Sequence, residues 1–224
     1  MARVLAIGDI HGCLTALDTL LGFVQPSAAD QLIFLGDYVD RGPDTKGVLD
    51  RLIELKARGN VVCLRGNHEI MMCGARGGWD DFRFWTQVGG VEALDSYSTP
   101  ATSVAIDSVP SSHWTFMERL QDCHETETHI FVHANLKPEL PLNEQKTEWL
   151  HWQAIQPSWH RPHVSGKTMI CGHTQQRSGE PLVLERAICI DTWAYGEGWL
   201  TGLDVLSGEY WQANEFGRTR TGWI

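Results

Sequence analysis

VLAIGDIHG, residues 4–12, is the stretch from which the rest of this chain can be read. Four apolar residues in a row suit a short strand buried on both faces. The run stops at Gly8, and a carboxylate (Asp9) and an imidazole (His11) follow two residues apart. On extended backbone, residues i and i+2 leave on the same side, so the two can share a ligand.

The same arrangement recurs down the chain. LIFL (32–35) precedes GDYVDRG, VVCL (61–64) precedes RGNHE, and IFV (130–132) precedes HAN. MI (169–170) precedes CGHT, and ICI (188–190) precedes DT. Between the first runs, Leu14, Leu17, Leu20, Leu21 and Val24 fall at helical spacing. Val48, Leu49, Leu52, Ile53 and Leu55 do the same before a Gly59-Asn60 stop. Alternating strands and helices over the first 70 residues predict an α/β fold with a parallel sheet and right-handed crossovers. In such sheets ligands collect beyond the carboxyl ends of the strands, where the polar clusters stand.

From Met71 to about Thr128 the pattern loosens, and the segment reads as a lid or wall over the strand ends, with SSHWTFMERL (111–120) as a short Ser-capped helix. GWLTGLDVLSGEYWQA (198–213) predicts a β-hairpin turning at Ser207-Gly208, and GRTRTGWI (217–224) a loose tail. At 224 residues the chain suits a single domain.

Eighteen Lys and Arg against 28 Asp and Glu give a net charge of −10 without a basic block. That argues against a nucleic-acid partner and requires any anionic substrate to be held by local charges. No apolar run approaches a membrane span, and the eight residues before Asp9 cannot hold a signal peptide, so the expected location is cytoplasmic. Six cysteines without CxxC spacing read as reduced, mostly buried thiols. Ten tryptophans, among them Trp79, Trp85, Trp114 and Trp159 in polar stretches, read as partly buried packing. Nothing in the sequence sets an oligomeric state.

Asp9, His11, Asp37, Asn67, His133 and His173 are six candidate metal ligands at strand ends. Singly, Asp9 or Asp37 could cap a helix, Asn67 could be a turn residue, and either histidine could be a bonded core group. Together they form a mixed nitrogen and oxygen donor set that suits Mn, Fe or Zn better than Ca. The other histidines lack such a context.

GDIHG, GDYVDRGP, GNHE, HAN and GHT, in this order over residues 8–174, closely resemble the phosphoprotein phosphatases of the calcineurin-like metallophosphoesterase superfamily. The likeness is strongest to small bacterial serine/threonine phosphatases. The resemblance implies a four-layer α/β/β/α sandwich and two divalent metal ions, with Mn expected to support activity in vitro. Asp9 and His11 would hold the first ion, Asp37 would bridge, and Asn67, His133 and His173 would complete the second. A water shared by the two ions becomes a hydroxide near neutral pH and attacks phosphorus in line. His68 would be the acid that protonates the leaving group, oriented by Asp40, and Arg41 and Arg65 would bind phosphate. The family's second phosphate-binding arginine near a Trp is missing from EWLHWQAIQ (148–156), and Arg161 reads as a solvated loop charge.

The expected substrate is a phosphoprotein or a small phosphomonoester. A rival within the superfamily is a symmetrical dinucleoside tetraphosphatase. Those enzymes typically carry Ala where Asp40 stands and Asp where Glu69 stands, so both residues point to the phosphatase branch. A rival of another class, a catalytically silent phosphate-binding module, predicts the loss of a ligand or of the dyad, and none is lost.

Overall fold

A computed structural model describes residues 2–98 and 105–224 of the chain. Eleven strands, among the described residues, form two sheets. The first takes β1 (Val4–Ile7), β2 (Gln31–Phe34) and β3 (Val61–Cys63), and later β9 (Leu200–Asp204), β10 (Glu209–Ala213) and β11 (Thr219–Trp223). The second takes β4 (Cys123–Glu125), β5 (His129–Val132), β6 (Thr168–Cys171), β7 (Leu182–Leu184) and β8 (Ala187–Cys189). Their orders are β11-β10-β9-β1-β2-β3 and β4-β5-β6-β8-β7. As the alternation predicts, β1, β2 and β3 run parallel, and so do β5, β6 and β8.

The two-residue period of a strand divides each apolar run between two cores. Leu5, Ile7, Leu32, Phe34 and Cys63 face the helices. These include α1 (Leu14–Val24) and α2 (Thr45–Arg58), which bury the apolar stripes read from the sequence. Ala6, Ile33, Leu35 and Leu64 face the other way and meet Phe131, Ile170, Ile188 and Ile190 of the second sheet. Ile130, Val132, Met169, Cys171, Ala187 and Cys189 point outward against Leu136, Leu150 and Ile155. The result is the mixed α/β architecture of two stacked sheets with helices outside. The second outer layer is thin, built mainly from loops and a five-residue helix, Thr147–His151.

Three local expectations need correction. The terminal stretch is no tail: β11 pairs antiparallel with β10, after a turn in which the Asn214 carboxamide oxygen accepts from Phe216 and Arg218 N–H groups. Helix Ser111–Glu118 has no serine cap, because Pro110 occupies that position and both serines lie inside the first turn. Trp85 and Trp114 are buried, but Trp79 and Trp159 stay more than 70% exposed. The expected wall contains the second half of α3 (Asn67–Gly74), then α4 (Trp79–Trp85), α5 (Val91–Asp95) and the helix Ser111–Glu118, with a π-type turn between α4 and α5. Its residues 99–104 lie outside the described residues. No described helix is long and apolar enough to cross a membrane.

Candidate metal centre

Both sets of parallel strands end at one edge of the sandwich, and every polar cluster named above lies there. Asp9 and His11 follow β1, Asp37 to Arg41 follow β2, and Asn67 and His68 open α3 after β3. His133 follows β5 and His173 follows β6. The sheets are tied together at this edge: the His173 backbone N–H donates to Asp9 Oδ2 (2.9 Å), and His133 Nδ1 donates to the Leu35 carbonyl (3.0 Å).

The turns are sharp. His11, Asp37, Asp40, Arg41 and His173 all adopt positive φ, between 46° and 71°. Side chains other than glycine rarely take this conformation, and it collects at functional sites. Two glycines of the motifs serve a different end. A Cβ on Gly66 would collide with the Asp37 carboxylate, and one on Gly172 with that of Asp9. Glu69 holds the second loop from below, its buried carboxylate accepting from the N–H groups of Asp37 (2.9 Å), Tyr38 (2.7 Å), Val39 (3.2 Å) and Gly66 (2.8 Å).

The imidazoles are aimed by the backbone. His11 Nδ1 donates to Val39 O, His133 Nδ1 to Leu35 O, and His173 Nε2 to Trp152 O, each at 3.0 Å. The opposite nitrogen of each ring therefore carries no proton and faces the cluster, the outer-sphere pattern that fixes a ligating tautomer. Burial drives His11 well below the usual histidine pKa and His133 down to about 3, which keeps both neutral. Asp37 Oδ2 lies 3.5 Å from His11 Nε2, and its Oδ1 lies 3.4 Å from His133 Nε2. Asn67 Oδ1 sits 3.0 Å from both His133 Nε2 and His173 Nδ1. An acceptor oxygen between two bare nitrogens calls for a cation. Asp9 Oδ1 is likewise buried without a partner.

This donor set fits two ions sharing Asp37. One group that could hold an ion is Asp37, His133 and His173; the other is His11, Asp37 and His68. The second group gathers His68 where the sequence placed Asp9, whose buried carboxylate keeps one oxygen free. Sequence reading missed Asp191, at the end of β8. It is buried, accepts the Trp193 N–H (3.1 Å), and is pushed up to about 7, chiefly by burial. With burial, Asp191 and then Asp37 raise the Asp9 pKa. The DT after ICI was the available signal.

His68 Nδ1 lies 2.7 Å from Asp40 Oδ2, both residues buried. Burial opposes a charged His68, but Asp37 and the Asp40 hydrogen bond outweigh it and raise the pKa above the usual value. Arg41 Nη1 reaches His11 Nε2 (3.0 Å), and its guanidinium lies over the Tyr195 ring, 4.7 Å from the centroid. Arg65 is a correction. The Arg65–Gln121 backbone bond turns it outward, and its guanidinium bonds Asp122 (3.2 Å) and the carbonyls of Leu120 and Glu118, away from this cluster. Arg161 is exposed, as expected.

Residues 2–196 match the calcineurin-like phosphoesterase family. A symmetrical bis(5'-nucleosyl)-tetraphosphatase of Pseudomonas putida (strain GB-1) is 30% identical over 141 residues, which is 62% of this chain and 44% of that protein. One from Ralstonia nicotianae is 42% identical over 73 residues, 33% of this chain and 25% of that one. The matched part thus spans less than half the length of these relatives. Among solved structures, one provisionally named a diadenosine tetraphosphatase superposes with a TM-score of 0.71 at 20% identity, covering 99% of this chain and 94% of the other. A match over nearly nine-tenths of the sequence, with the donor set assembled at the strand ends, makes the chain a member of the calcineurin-like phosphoesterase family.

Proposed function

We propose that this phosphoesterase hydrolyses phosphomonoesters with alkoxide leaving groups, phosphoserine or phosphothreonine in a protein being the first candidates. The observation that carries the reading is the 2.7 Å pair of Asp40 and His68, buried beside the donor cluster. An alkoxide is a poor leaving group and needs a proton as its bond to phosphorus breaks. Asp40 holds the Nδ1 of His68, which leaves Nε2 as the nitrogen that can give up a proton to the leaving group.

Asp9, His11, Asp37, Asn67, His133 and His173 would hold the ions, with Mn the first choice and Fe or Zn the alternatives. Bound there, the ions supply Lewis acidity and lower the pKa of water. The chain supplies the rest. Arg41 binds a phosphoryl oxygen and offsets charge as it builds. Tyr195 keeps that guanidinium flat, with its own hydroxyl accepting from Gln175 Nε2 (3.0 Å). Asp40 keeps the imidazole charged and oriented.

A second reading, hydrolysis of dinucleoside tetraphosphates, is favoured by the names of the relatives, and on the comparisons alone it stands ahead. Against it stands the intact dyad, since a nucleotide is a good leaving anion and needs no such acid. The test is kcat/KM on phosphoserine and phosphothreonine peptides and on diadenosine tetraphosphate, using metal-stripped protein reloaded with Mn, Fe, Zn or Mg. The peptides should win. A tenfold advantage for the dinucleotide would install the second reading, and turnover of neither would favour a silent binding module.

A further inference from the structure

The wall segment reaches into the dyad. Trp85, the last residue of α4, is completely buried, and its indole N–H is shared between both oxygens of Asp40, 2.9 Å from Oδ1 and 3.0 Å from Oδ2. The Asp40 carboxylate thus has two side-chain partners on opposite errands. His68 takes one oxygen, and the indole spans the pair. A donor spanning both oxygens fixes rotation of the carboxylate about its Cβ–Cγ bond, which the single bond to His68 would leave free.

Four residues on, Gly89 holds the neighbouring residue. Its carbonyl accepts the Arg41 N–H (3.0 Å), and a Cβ there would stand 2.6 Å from Arg41 Cγ. Gly89 has φ of 117°, and Asp40 and Arg41 have φ of 71° and 69°. Two successive non-glycine residues in the left-handed region need surroundings that over-determine them. Gly90 completes the fit: a Cβ on it would stand 2.5 Å from the Trp85 ring.

We propose that Trp85 is a positioning residue for proton donation, clamping Asp40 so that His68 presents its Nε2 proton to the leaving oxygen, and that Gly89 does the same for Arg41. The inference rests on the acid role proposed above for His68. It assigns residues 79–90 a task beyond covering the strand ends: the turn must be in place before the acid is.

The test replaces Trp85 by Phe and, separately, by β-(3-benzothienyl)alanine, which keeps the indole shape but has sulfur for the N–H. Losing a hydrogen bond to a charged group should lower kcat on an alkyl phosphate about 10- to 100-fold. Aryl phosphates, which need little acid help, should change by less than about twofold. KM and metal content should stay as in the parent. In the metal-free protein, the His68 Nδ1 proton, assigned by NMR with His68→Asn, should be lost to exchange. Should W85F fail to fold, the benzothienyl protein carries the test, because it preserves the packing. An equal loss on both esters, or an unchanged alkyl rate with the Nδ1 proton retained, overturns the clamp. His68→Asn is measured alongside. If it leaves the alkyl-to-aryl ratio unchanged, the acid role falls and the clamp's part in catalysis with it. If it shifts the ratio and the benzothienyl protein does not, the clamp alone falls.

Discussion

Asp40 and His68 are 28 residues apart in the chain and 2.7 Å apart in space, with neither side chain more than 2% exposed. One comes from the turn after β2 and the other from the first turn of α3. In a site with so little water the bond between them is strong, and its removal should be specific in its effect.

His68→Asn should cut kcat on alkyl phosphates by about 10²–10⁴-fold, the usual worth of a general acid. Metal content should be unchanged and the loss on aryl phosphates much smaller. Asp40→Asn should give a milder version of the same split. Parallel assays on serine phosphate and 4-nitrophenyl phosphate decide it; equal losses would remove the acid role, and a fall in metal content would make His68 a ligand.

The pH profile carries the same information with a definite sign. Asp37 and Asp40, against the effect of burial, hold His68 above the usual histidine pKa. The donor is the protonated ring, fully present below that raised pKa and lost as pH rises through it. Turnover of an alkyl ester should therefore fall on the alkaline side, later than an ordinary histidine would dictate, while aryl turnover stays flatter. In Asp40→Asn the fall should move to lower pH. Profiles of one shape for both esters would contradict this.

Chelation should abolish turnover, and protein reloaded with Mn should contain two ions per chain by elemental analysis. Asp37 faces His11 with one oxygen and His133 with the other, at 3.5 and 3.4 Å. Asp37→Asn should accordingly lower occupancy at both positions, where a change at His173 should affect one. Full activity in chelator would end the two-ion reading.

Far from the cluster, Asp30 takes Arg3 through the backbone N–H (2.8 Å), Nε (3.1 Å) and Nη2 (2.7 Å), and the Ser27 N–H (2.8 Å). The Arg3 bonds hold its pKa below the usual carboxylate range, outweighing burial. Asp30→Ala should cost about 2 kcal/mol at pH 7 by urea denaturation. A depressed folded pKa contributes stability above the unfolded value and loses it as pH falls toward the folded one. The gap between parent and variant should thus narrow below about pH 4. A gap independent of pH would mean the cost is packing alone.

How far the sequence reaches is clearest in particular residues. The six parallel strands and the first two helices were legible because their apolar spacing is local, and a buried run of Val, Ile, Leu and Phe has few other uses. Asp9, His11, Asp37, Asn67, His133 and His173 were legible because each follows such a run, and shared strand ends bring them together whatever the loops do. The β11 strand was not, since an edge strand of TRTGW with one face in water carries no apolar alternation.

What the tertiary structure decided is direction and partnership. Arg65 sits in a motif beside Asn67, yet a backbone bond to Gln121 turns its guanidinium to Asp122. Asp191 reads as any residue after a strand until folding buries it with Asp9 and Asp37. Trp85 reads as packing, and only the chain path between α4 and the β2 turn brings its N–H to Asp40. Which elements form follows from spacing along the chain, a short-range property. Which polar atoms meet depends on how loops far apart in the chain close over one another, and no local pattern records that.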